Sequence, residues 1–258
     1  MKLGFIGTGT ITTAVIEGLI KSKARLGQIN ISSRSKKNSS KLRKKSAKIK
    51  VYNKNQEIIN KSSVVFVGLL PKVANKELQK LKFKKNQIVV SFVSTLNIKK
   101  LKNFCKPAKT IIKAAPLPMA SDGLSPTIIY PNQKLVKNLF EYIGSVIVAK
   151  NEKQNNHLWV MSSFMATYVA IIRTLKKYLQ KNKVYYQDSN KYLNTFLTGM
   201  LFELNHHNFD LDKTIKSLQT RGGINEELLK RLEKDKFFKK MENNFNKIYL
   251  RLKKANDN

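Results

Sequence analysis

"GFIGTGTITTA", residues 4–14, decides how the first half of the chain is read. An apolar run starting at Leu3 stops at Gly7. Helical spacing follows at once, with Val15, Ile16, Leu19 and Ile20 recurring through "TTAVIEGLIKSK". A strand that turns on Gly-Thr-Gly straight into a helix is the local frame of a dinucleotide-binding turn. Gly7 would allow the tight bend, and Gly9 would let a diphosphate approach the backbone. The helix start, with Thr8, Thr10 and Ile11 around it, would offer free N–H groups at the positive end of the helix dipole. The third glycine slot of such a turn holds Thr12, bulkier than glycine, whose hydroxyl could face a phosphate or cap the turn. The rival reading is an ordinary strand–turn–helix connection.

The pattern continues outward. "QINISSR", "IKVY", "SVVFVGLLP", "QIVVSFVS", "KTIIKAAPLP", "LSPTIIYP" and "SVIVAK" read as strands, with helical stretches between most of them. Near-continuous Val/Ile strands alternating with helices indicate a parallel sheet covered on both faces. From about Asn151 no strand signal appears. Helices are predicted over roughly 154–180, 189–205, 211–219, 225–234 and 237–255, with the last residues frayed. The expected fold is α/β: a Rossmann-type, doubly wound dinucleotide-binding domain over residues 1–150, and an all-α domain over 151–258. The longest apolar stretch, "LWVMSSFMATYVAII", reads as a buried helix.

The end of the second strand bears on the cofactor. Enzymes that use NAD usually place Asp or Glu there for the ribose hydroxyls. This chain has Ser32-Ser33-Arg34-Ser35-Lys36-Lys37 instead. Hydroxyls with an arginine would hold a 2′-phosphate that a carboxylate would repel. Ser33, Arg34 and Ser35 therefore point to NADPH rather than NADH.

Bulk properties bound the remaining classes. The 258 residues carry 50 basic and 16 acidic side chains, a net charge of +34. The lysines are spread along the whole chain among Asn and Ile, without a dense block of interleaved aromatics, which argues against nucleic acid as the main partner. Small anions would still be attracted. The one cysteine, Cys105, has no partner for an internal disulfide and fits a reducing compartment. Gly4, Gly7 and Gly9 break the apolar start, so no signal peptide is expected, nor is a run of about 18 apolar residues that would span a membrane. A cytoplasmic location follows.

With these motifs in order, the chain resembles the pyrroline-5-carboxylate reductase family. "MKLGFIGTGTITTAVIEGL" is similar to that family's opening and "ISSRS" to its NADPH-selecting strand end. "SVVFVGLLP", "KAAPLP", "MSSFMATYVA" and "LQTRGGINEELLKRLE" follow at matching places. The resemblance implies that Asn55 touches the adenosine side of NADPH and that Leu70 and Pro71 lie by the dinucleotide. It implies that Thr220, Gly222, Gly223, Ile224 and Asn225 line the substrate site. Amides at the helix start there would hold a carboxylate, and Asn225, with Thr220, would orient an imine nitrogen. It also implies a homodimer or higher homo-oligomer through the helical domain, with site residues from both chains. That suits a long, nearly all-apolar helix that should not stand alone in water.

The implied reaction is NADPH-dependent reduction of the C=N bond of 1-pyrroline-5-carboxylate to L-proline. The site departs from the family pattern at Leu117, Phe164, Met165 and Arg221, so two alternatives stay open. One is a reductase of a related imine or keto compound on the same fold. The other is a catalytically eroded NADP-binding protein. Glu226 and Glu227 read as dipole-complementing acids rather than proton donors. His157, His206 and His207 are too few and too poorly spaced for a metal site.

Overall fold

A computed structural model describes residues 1–257, with side chains to residue 255. The chain divides into two compact units: Met1–Ser162 together with the residues from Tyr249 on, and Ser163–Ile248.

The first unit is built on eight strands: β1 (Leu3–Ile6), β2 (Ile29–Ser32), β3 (Ile49–Tyr52), β4 (Val64–Val67), β5 (Ile88–Ser91), β6 (Thr110–Ala115), β7 (Ser125–Tyr130) and β8 (Gly144–Val148). Their order across the sheet is β3-β2-β1-β4-β5-β6-β7-β8. The interleaved helices are α1 (Thr10–Lys21), α2 (Lys36–Lys45), α3 (Asn55–Asn60), α4 (Pro71–Leu78), α5 (Ile98–Phe104), α6 (Lys134–Glu141) and α7 (Glu152–Met161). β1, β2 and β4 are buried at every residue, as parallel strands covered on both faces must be. One face packs α1, α2 and α6 through Val15, Leu19, Leu42 and Phe140. The other packs α3, α4 and α5 through Ile58, Leu78 and Leu101. Phe5 of β1 and Phe66 of β4 stack at 4.5 Å between ring centres and anchor the middle.

The order reverses between β1 and β4, which opens a crevice beyond their carboxyl ends. That is where open α/β sheets bind ligands. The sheet departs from the all-parallel expectation in one place. β7 runs antiparallel to β6, and β8 runs parallel to β7. The reversal is made by a short 3-10 turn, Pro118–Asp122, closed by Gly123.

The second unit is helical. α8 (Phe164–Lys181), α9 (Tyr186–His206), α10 (Leu211–Leu218) and α11 (Ile224–Lys234) precede α12 (Phe237–Asp257). Three expectations are corrected here. The predicted helix over 154–180 is two helices, broken at Ser162–Ser163, where the Ser162 hydroxyl donates to the Trp159 carbonyl at 2.7 Å. Such a hydroxyl competes with the helical ladder. Nor is the stretch buried beyond α7, where Val160 is buried: α8 has no buried residue, and Val169 and Tyr178 are 62 % and 68 % exposed. Residues Glu152–Lys181 are, by length and composition, apolar enough to cross a membrane, because the two serines and Thr167 are too weakly polar to offset their Val, Ile, Met and Phe neighbours. Third, the expected frayed end is helical as far as Asp257, with Leu252 buried and the Ala255 carbonyl accepting from Lys100 Nζ; Asn258 lies outside the described residues.

Candidate active site

The turn after β1 has the geometry that its glycines suggest. Gly7 adopts φ +96°, a left-handed conformation that L side chains rarely adopt, and an added Cβ would strike the Gly68 carbonyl. Gly9 is the N-cap of α1 in an extended conformation, and no side chain caps it. The first helical bond runs from the Thr13 N–H to the Gly9 carbonyl at 2.9 Å. The amides of Thr10, Ile11 and Thr12 therefore precede the ladder, at the positive end of α1. Nothing lies within 4 Å of the place where a Gly9 Cβ would be, so the approach to this backbone is open. These features fit a bound diphosphate.

Thr12 does neither of the jobs expected of it. Its side chain is buried and its hydroxyl lies where a Cβ on Gly68 would sit. The close helix–strand approach that a third glycine normally permits is kept by placing the glycine on the β4 side instead.

Two long-range hydrogen bonds hold the turn. The Ser32 hydroxyl, at the end of β2, accepts from the Gly7 N–H at 3.0 Å. The Asn38 amide, in the first turn of α2, donates to the Thr8 carbonyl at 2.6 Å. α2 is further tied to α1 by Lys41 and Lys45, which lie 3.3 and 2.8 Å from Glu17 Oε1. Lys45 foremost holds the Glu17 carboxyl below its ordinary value. Beside this tied corner, Ser33 is half-buried, Arg34 is exposed, and Ser35 caps α2 by accepting from the Asn38 N–H at 3.5 Å. No acidic residue occurs between Ile29 and Lys45.

The other residues expected at the dinucleotide also belong to this unit. Asn55 opens α3 and donates to Glu77 Oε1 of α4 at 2.7 Å, so one amide hydrogen is already engaged. Leu70, 72 % exposed, caps α4, and Pro71 is its first residue. Both follow β4 directly, next to Gly68, whose N–H donates to the Ile6 carbonyl.

Thr220 to Asn225 lie in the second unit. Gly222 has φ +71°, and Gly223 is the N-cap of α11 without a side-chain cap. The Gly222 N–H donates to Glu226 Oε2 at 2.7 Å. Lys230 and that N–H hold the Glu226 carboxyl below its ordinary value, so it is ionised and unsuited to give up a proton near neutrality. Asn225 is exposed and donates through Nδ2 to the Leu218 carbonyl at 3.0 Å, which leaves Oδ1 as an acceptor. Near the start of α8, Phe164 meets Phe245 edge-on at 6.1 Å and lines a cavity of about 260 Å³ with Thr167, Phe237, Met241 and Asn244.

A polar cluster escaped the sequence reading. Lys113 of β6 is fully buried. Its Nζ lies 3.4 Å from both Glu152 Oε1 and Asn156 Oδ1, and 5.4 Å from the Trp159 ring centre. Glu152 in turn accepts from the Ile98 N–H at the start of α5, at 3.0 Å. One ammonium thus fastens α7 and the α5 start to the strand that leads to Pro116 and Leu117. Burial pulls Lys113 below its ordinary value, and Glu152 offsets part of that pull. The signal was a lone lysine inside an apolar strand, "TIIKAAP".

Comparison with known proteins agrees with this architecture. Residues 2–95 match the family described as NADP oxidoreductase, coenzyme F420-dependent. Pyrroline-5-carboxylate reductase 2 of Bacillus subtilis is 22 % identical over 246 residues, covering 92 % of this chain and 88 % of its own. Two solved structures share the fold at 20 % identity. The Plasmodium falciparum pyrroline carboxylate reductase with NADP bound has a TM-score of 0.87, over 99 % of this chain and 98 % of its own. The Streptococcus pyogenes 1-pyrroline-5-carboxylate reductase has a TM-score of 0.86, over 98 % of each chain. The similarity therefore extends over nearly the whole length, and the chain shares the fold of the pyrroline-5-carboxylate reductases that it resembles.

Proposed function

We propose that the chain reduces the C=N bond of 1-pyrroline-5-carboxylate to give L-proline, with NADPH as reductant. The observation that carries this reading is the uncapped start of α1 behind Gly7 and Gly9, set beside a β2 end that holds Ser33, Arg34 and Ser35 and no carboxylate. On this reading residues 1–150 form the NADP-binding domain and 151–258 the helical dimerisation and substrate domain.

NADPH, when bound, supplies the hydride; the chain supplies position and charge. The amides of Thr10 and Ile11, with Thr8 and Gly9, hold the diphosphate. Ser33, Arg34 and Ser35 hold the 2′-phosphate, Asn55 the adenosine side, and Leu70 and Pro71 the dinucleotide wall. Gly222 and Gly223 line the substrate carboxylate and shape the turn, their own N–H groups being engaged by Glu226 and the Thr220 carbonyl, while Ile224 and Asn225 offer amides ahead of the α11 ladder. Asn225 is oriented by the bond from its Nδ2 to the Leu218 carbonyl, which leaves Oδ1 and the second amide hydrogen for the substrate. Its Oδ1 accepts from the N–H of the protonated imine, and the Thr220 hydroxyl helps orient it. With Glu226 ionised and paired, the imine proton comes from solvent.

The exposed apolar faces of α8 and α9 are covered by a second copy of the chain, in the cytoplasm. The test is loss of NADPH absorbance on adding pyrroline-5-carboxylate, with proline measured as product. A folded protein that binds NADPH and makes no proline would reject the assignment. The apolar cavity at Phe164 favours one second reading, a less polar related imine or keto substrate. Faster turnover of such a compound in a substrate panel would select it.

A further inference from the structure

We propose that Asn38 is a positioning residue that couples the 2′-phosphate subsite to the diphosphate turn, and thereby sets the preference for NADPH over NADH. This rests on the dinucleotide reading above. Asn38 serves both places at once. Its backbone N–H donates to Ser35 Oγ, the cap of the helix that begins beside Ser33 and Arg34. Its side chain donates to the carbonyl of Thr8, between the two glycines of the turn, at 2.6 Å. Thr8 itself is 2 % exposed and its hydroxyl lies 3.5 Å from the Ser32 carbonyl. The Ser32 hydroxyl, one residue before Ser33, accepts from the Gly7 N–H. The turn is therefore suspended from the β2 end and the first turn of α2. No side chain of α1 caps its own N-terminus.

The consequence is energetic. A 2′-phosphate at Ser33–Arg34–Ser35 orders the first turn of α2, which fixes Asn38, which fixes the Thr8 carbonyl. The amides facing the diphosphate are then ordered before it binds, so less is lost on binding. NADH cannot use this path. An asparagine that merely braced the turn would help both cofactors equally.

Two variants test this, Asn38→Ala, which removes the donor, and Asn38→Gln, which keeps it on a longer arm. Dissociation constants for NADPH and NADH are measured by fluorescence titration, together with melting temperatures. Amide exchange at residues 7–13 is followed with 2′-AMP, which carries the 2′-phosphate on adenosine but no diphosphate, and with adenosine as the control. Asn38→Ala is expected to weaken NADPH about ten-fold and NADH by no more than about two-fold, the scale of one lost hydrogen bond. 2′-AMP should slow exchange at residues 7–13 in the wild type and not in Asn38→Ala. Asn38→Gln should recover part of both effects. Equal weakening of NADPH and NADH, or unchanged protection by 2′-AMP, would overturn the coupling while leaving the dinucleotide site intact. A folded wild type that binds neither dinucleotide overturns the functional reading itself, and the inference with it.

Discussion

Replacing Lys113 by methionine should leave the first unit nearly as stable as the wild type, although the ion pair is buried on the lysine side. At 3.4 Å, the attraction to Glu152 is roughly 5 kcal/mol at an effective dielectric of about 20. The face of Trp159 adds about 1–2 kcal/mol for a desolvated cation. Against this stands the cost of removing an ammonium from water, several kcal/mol. Glu152 keeps 29 % of its side-chain surface exposed, which weakens the attraction further. The terms nearly cancel, and Met refills most of the space of the lysine stem. Lys113→Met should therefore fall within about 1 kcal/mol of the wild type.

Lys113→Ala leaves a void and should cost about 2–5 kcal/mol. Glu152→Gln leaves the ammonium without its counter-charge and should cost about 2–3 kcal/mol, less than a fully buried pair would. The pH dependence has a definite sign. The folded state holds Lys113 below its ordinary value of 10.5, so the unfolded chain binds that proton more tightly. Wild-type stability relative to Lys113→Met should therefore rise with pH up to the ordinary lysine value. Urea unfolding followed by Trp159, the single tryptophan, reads this unit directly. The reasoning is refuted if Lys113→Met costs as much as Lys113→Ala, or if the gap moves the other way with pH.

Glu17→Gln should destabilise the first unit by about 1 kcal/mol near neutral pH, since Glu17 is almost buried but its lysine partners are well exposed. Because its folded value is lowered from 4.5, the wild-type advantage is full above that value and should vanish as acid titrates the folded carboxyl; denaturation series at neutral and acid pH check it. Gly9→Asp should leave the melting temperature unchanged, as nothing lies within 4 Å of the added Cβ. It should nevertheless abolish NADPH affinity by setting a carboxylate against the diphosphate, and retained affinity in a titration would remove the cofactor from this turn. Val169→Lys combined with Tyr192→Lys should turn a dimer into a monomer on light scattering, because both side chains are more than 60 % exposed within one chain.

The sheet was legible because strands buried on both faces must be apolar throughout, and "VVFV" and "INIS" announce themselves. The reversal at β7 was legible in principle. The link Pro116–Leu124 is shorter than the dozen or so residues a parallel crossover needs, whereas the apolar runs alone are the same for either strand direction. The composition of α8 read as burial, whereas within one chain its apolar side chains are exposed; the sequence of a helix states that its face is apolar and not what covers it.

The candidate site divides along the same physical line. Gly7 and Gly222 could be picked out because a positive φ is a local demand that few side chains meet. Ser32 and Asn38 could not. Each looks like any polar residue at a strand end or on a solvated helix, and each acquires its task only when folding brings it to a backbone group 25 or 30 residues away. Lys113 sits between these cases: its strand context marks it as anomalous, while its partners Glu152 and Asn156 come from a helix that follows two further strands. On the proposed reading, the groups offered to anions are backbone amides, at the starts of α1 and α11. Amides survive any substitution that leaves the turn intact, so such sites would persist while side chains such as Leu117 and Phe164 vary. The glycine turns are accordingly the most readable features of the chain, and the side chains proposed to surround the imine are where its specificity has to be measured.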